Sequence, residues 1–192
     1  MSTQPPVDLA RWEQAVSAAA TRTLGDMALR PITHAECDQF ADEGFRRVRL
    51  ASWLLTWRQA QPTAATARLS PVPLTPQSGD EQLWHALLTN APDHEIDQLV
   101  GPLRDGPLVG ELHGTTIEVF TEQQLAGMHA LWALCARGGR EPWLNQLWAS
   151  VRWTLNFLQP DNATNHPWAA HVFVLADHYG LTTDGCMYAD TM

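Results

Sequence analysis

Between Thr121 and His178, apolar residues recur every three to four positions through three successive stretches. That period is the helical one, and it sets what the chain can fold into. Thr121-Glu122-Gln123-Gln124 is a capping-box pattern, in which side chains satisfy backbone donors that a helix start leaves free. It opens a helix with Leu125, Met128, Leu131, Trp132 and Cys135 turned inward. Arg137-Gly138-Gly139 closes it with a cation and a glycine cap. Pro142 suits the first turn of the next helix, which carries Trp143, Leu144, Leu147, Trp148, Val151, Leu155 and Leu158. A third helix is expected from Pro167 to His178, with Gly180 as its left-handed stop. Two helices joined by a few residues form an antiparallel hairpin, and the third returns beside them.

The same reading extends upstream. Residues 8–24 predict a helix with Leu9, Trp12, Ala15, Val16 and Ala19 on one face. Thr33-His34-Ala35-Glu36 is a second capping box and opens a long helix to Ala60, whose "LASWLLTW" half is apolar nearly all round. Residues 61–79 hold four prolines and no carboxylate, and read as an extended connector. Helices resume at Asp80, with Leu83, Trp84, Leu87 and Leu88, and at Asp93, with Ile96, Leu99 and Val100. "GPLRDGPLVGELHG" is punctuated by glycine and proline and predicts a loop. The β-branched alternation of Thr115-Thr116-Ile117-Glu118-Val119-Phe120 predicts one short strand, so any β element is small and confined to 108–120. Thr182-Thr183-Asp184 caps a last helix that stops at Met192. A helix begun and not finished, with Met187, Tyr188 and Met192 apolar, is what a fragment of a longer chain or a partner-binding end would show.

The expected fold is therefore mainly α, built of antiparallel helix hairpins as in a bundle or an α/α-repeat-like arrangement. It is expected to form a single helical domain over 1–192, interrupted by the connector at 61–79. Nine tryptophans supply large apolar areas for its core.

Charge and cysteine usage narrow the function classes. All twelve basic residues are arginine, against 21 acids and a net charge of −9. Phosphate binding needs a clustered excess of cations, so neither nucleic acid nor an anionic membrane surface is an expected partner. The one basic cluster, Arg46-Arg47-Val48-Arg49, follows Asp42 and Glu43 at helical spacing and reads as a self-paired face. Cys37, Cys135 and Cys186 form no CxxC pair and no disulfide framework, and no signal peptide or spanning run is visible. A cytoplasmic setting is expected.

Chemistry concentrates in "QPDNATNHPWAAH", residues 159–171. Read structurally, Asn165 or His166 caps the helix that Pro167 starts, and Asp161 and Asn162 are turn residues. Read functionally, Asp161 and His166 are an acid/base pair, because a carboxylate beside an imidazole can orient it as a general base. Asn162 and Asn165 would then bind ligand, with Trp168 and Trp153 as walls and His171 as orienter or metal ligand. His171 and His178 lie seven apart, about 10 Å along a helix, too far to share an ion. A metal site would need distant segments, such as His129 with His171. There is no HExxH, GxSxG or phosphate-loop motif, and Cys37 and Cys135 sit at apolar-face positions. Trp53, Trp57, Trp148 and Trp153 read as core packing ahead of a sugar-stacking platform.

Two functions follow. The first is a non-catalytic helical scaffold or binding module for a protein or small-molecule ligand. The alternative is a hydrolase- or lyase-like enzyme with its site at 159–171. The sequence assigns no cofactor and no oligomeric state.

Overall fold

The computed structural model describes residues 7–15, 18, 75–76, 78–110, 116–138, 140–159 and 169–192. They are mainly helical: α1 (Gly79–Thr89), α2 (Asp93–Val100), α3 (Ile117–Gly138), α4 (Glu141–Phe157), α5 (Ala170–His178) and α6 (Gly185–Thr191). Residues 9–15 are also helical, and Leu9 and Trp12 pack on the core as their spacing predicts, whereas Ala15 is exposed. The expected helix 33–60, the basic cluster and nearly all of the connector lie outside the described residues.

α3 and α4 form the predicted hairpin. Gln124 meets Thr154, Trp132 meets Trp148 and Gly138 meets Trp143, so the two helices run antiparallel. α1 lies on α3 in the same direction, from Asp80 beside Gly127 to the Leu87 carbonyl, which accepts from the Arg137 guanidinium. Arg137 therefore serves the end of α1. Leu83, Trp84, Leu125, Met128, Leu131, Leu134, Leu147, Val172 and Phe173 fill the space between these helices. Each such side chain contributes about 1.5–3 kcal/mol on burial. At the start of α4, Asp97 of α2 accepts from Trp143 Nε1 at 2.8 Å and from Arg140 at 2.9 Å.

Of the expected strand at 115–120, residues 117–120 are helix instead. Thr116 stands at the start of α3: its carbonyl accepts from Phe120 N, and its hydroxyl lies 3.5 Å from Val119 N. The capping box at Thr121 is interior to α3, and the Thr121 hydroxyl turns back to the Ile117 carbonyl. No strand occurs among the described residues.

The loop 101–110 is irregular in backbone but tightly held. Gln124 of α3 is fully buried, and its Oε1 accepts from both Leu108 N and Val109 N. Gln146 of α4 exchanges hydrogen bonds with the backbone of Arg104 and reaches Ser150, whose hydroxyl donates to the Gly106 carbonyl. Buried polar groups thus replace the ladder that a strand would have provided.

α5 and α6 form a second hairpin, with Phe173 stacked on Tyr188 at 4.5 Å. Thr182-Thr183-Asp184 precedes α6 as predicted, but the capping carboxylate comes from α5. Asp177 accepts from Gly185 N and Cys186 N and from the Thr182 hydroxyl.

Candidate functional site

The predicted site is described only at its edges. Asp161, Asn162, Asn165, His166 and Trp168 lie outside the described residues. The helix that follows begins later than Pro167: α5 starts at Ala170, and Ala169 is left-handed at φ +60°, which breaks any helix running back from it. The capping position of α5 is held by Ala169. Of the two described candidates, Trp153 packs against Phe120 and Phe157, while His171 packs against His129 and Trp132. Among the described residues, these two predicted members of one pocket share no ring neighbour.

His171 does meet His129, from a segment 42 residues earlier (171 minus 129). Their rings are edge to face, with centroids 5.0 Å apart. Trp84 stacks on His129 at 5.4 Å. Burial among these rings pushes the His129 imidazole down to about 3, helped by the nearby His171, and burial pushes His171 down to about 4. Both rings are therefore neutral near pH 7. Two imidazoles are fewer ligands than zinc usually takes, and among the described residues no group of three His, Cys, Asp or Glu side chains could hold an ion. Cys135, on the same helix as His129, has its thiol pushed up to about 12 by burial. Cys186 is raised to about 11, first by burial and then by Asp177. Neither is an activated nucleophile.

Trp132 joins this histidine pair to a cavity of about 420 Å³. Trp132, Cys135 and Ala136 line it from α3, Leu144 and Trp148 from α4, and Tyr179 and Leu181 from the turn after α5. Trp132 and Trp148 have centroids 6.0 Å apart with planes at 53°, and Trp148 and Tyr179 stand 6.2 Å apart at 67°. Gly180, at φ +69°, makes the tight stop that leaves Tyr179 on the rim, where it is 58% exposed. Among the described residues, the lining holds no charged side chain. Such a cavity can hold an apolar or weakly hydrated group, with few polar atoms to orient it.

Helical spacing puts Trp132 and Trp148 inward, but it does not distinguish a cavity wall from a filled core. The available signal was Tyr179, a large aromatic set immediately before a glycine helix stop.

The chain matches no protein-family model, no curated protein and no solved structure. Among the described residues, no helix is long and apolar enough to cross a membrane.

Proposed function

We propose that the chain is a non-catalytic helical binding module, and that its ligand is a small molecule taken into the Trp132–Trp148–Tyr179 cavity. The observation that carries this reading is the cavity itself, a space of about 420 Å³ between two helices and a turn, walled by three aromatic rings and, among the described residues, free of charged side chains. Volumes of roughly 300–1,000 Å³ with mostly apolar walls are those of small-ligand sites. The histidine pair behind Trp132 supports binding over acid/base chemistry, because imidazoles lowered to about 3 and about 4 are weak proton acceptors near neutral pH. Two of the three aromatic walls stand on α3 and α4, which the Gln124 amide joins through the Thr154 hydroxyl, and walls carried on packed helices need little ordering on binding.

The test is a two-dimensional ¹H–¹⁵N titration with small alkyl and aromatic compounds. The indole N–H signals of Trp132 and Trp148 are expected to move together and saturate. Saturable binding that leaves both indoles unmoved overturns the reading.

A further inference from the structure

We propose that the cavity is an aromatic cage for a substituted ammonium cation, a ligand class that rests on the binding-module reading above. Ring angles are the first support. A flat ligand is best held between two near-parallel faces, as Phe173 and Tyr188 hold each other at 26° and Trp153 and Phe157 at 30°. Trp132, Trp148 and Tyr179 are inclined at 53° and 67° about one space. Inclined rings make a box, and a box suits a rounded group that touches several faces at once.

The charge pattern selects which rounded group. The face of an aromatic ring carries negative potential and attracts cations within about 6 Å. This chain already uses that attraction with its own arginines: Arg11 lies over Trp12 at 5.7 Å, and Arg140 over Trp143 at 5.4 Å. Among the described residues, the three cage rings carry no such arginine. The net charge of −9 attracts cations to the molecule as a whole.

The lining also discriminates among cations. Its described residues include no carboxylate, so a metal ion or a primary ammonium would lose its water without gaining strong oxygen ligands from them. An alkylated ammonium is weakly hydrated and spreads its charge over methyl groups, so aromatic walls can replace its solvent shell. The cavity leaves room for an apolar substituent against Leu144 and Leu181.

Calorimetric titration of the full chain tests the proposal with two matched pairs. Benzyltrimethylammonium is compared with neopentylbenzene, and choline with 3,3-dimethyl-1-butanol; each pair differs in the charged nitrogen. The cation of each pair is expected to bind about fivefold tighter or more. Tyr179→Leu should weaken the cation about 2- to 5-fold, and Tyr179→Phe should restore it, since that ring is exposed and its loss spares the core. A neutral compound that binds as tightly as its cation overturns the cation inference and leaves the binding module standing. Cation binding indifferent to Tyr179→Leu, with the Trp132 and Trp148 indoles unmoved, overturns it as well. If neither member of either pair binds and the indoles respond to no compound in the wider titration, both readings fall.

Discussion

The imidazole of His171 sits edge-on to that of His129, with centroids 5.0 Å apart and planes at 77°, and the contact fastens α5 to α3. Both rings are held neutral by burial, with values lowered to about 4 for His171 and about 3 for His129. In the unfolded chain each protonates near 6.5. The unfolded state therefore binds more protons between 6.5 and those lowered values, and stability rises with pH through that window. Full stability is expected above about pH 6.5, with a progressive loss on acidification worth on the order of 2–4 kcal/mol per histidine. Denaturant unfolding at pH 7 and pH 4.5 measures it. His171→Gln should show a shallower decline than the parent, and an identical decline contradicts the assignment.

Gln124 carries the loop 101–110. Replacing it with leucine leaves the amides of Leu108 and Val109 without their acceptor. The expected loss is about 2–4 kcal/mol, since each buried unsatisfied donor costs roughly 1–3 kcal/mol. Hydrogen exchange should show those two amides losing protection ahead of the α3 core. Uniform loss across α3 would mean that the glutamine acts through packing alone.

Asp177 and Gly185 fix the last hairpin together. A side chain at Gly185 would place its Cβ 2.3 Å from the Phe173 carbonyl oxygen, so the two helices meet there only through glycine. Gly185→Ala is expected to cost about 1–3 kcal/mol by overpacking. Asp177→Ala should cost about 1–2 kcal/mol through loss of the α6 cap. The two residues touch, so thermal melts of the double variant should depart from additivity.

Alanine at Asp161 or His166 separates the two functions read from the sequence. Under the binding-module reading, either variant binds the cavity ligand with unchanged affinity by calorimetry. A tenfold loss at both would move the chemistry to residues 159–171.

The hairpins were legible because their signals are local. Helical spacing at Leu125–Cys135 and Trp143–Leu158, Pro142 in a first turn and Gly180 as a stop each depend on neighbouring residues. The strand at 115–120 failed because β-branched alternation over six residues also fits a helix's first turn once Thr116 supplies its cap. Ala169 failed for a similar reason: nothing in the residue type announces a left-handed alanine. The Gln124 and Gln146 anchors and the closing of Trp132 on His171 depend on residues far apart in sequence, and no spacing rule reports them. His129 and His171 are one of many histidine pairs that distant segments could bring together, and only the packing of α5 on α3 selects it. The cavity was illegible because a tryptophan facing a void and one facing a leucine have the same period.

The most direct test of the central claim fills that void. Ala136 lines the cavity and is exposed, so Ala136→Trp can block the space without opening the core. Calorimetry with a compound that moves the Trp132 and Trp148 indoles should show saturable binding to the parent chain. With an unchanged melting temperature, the variant should bind at least about tenfold more weakly, a difference of about 1.4 kcal/mol. Equal affinity in the two proteins would contradict the account.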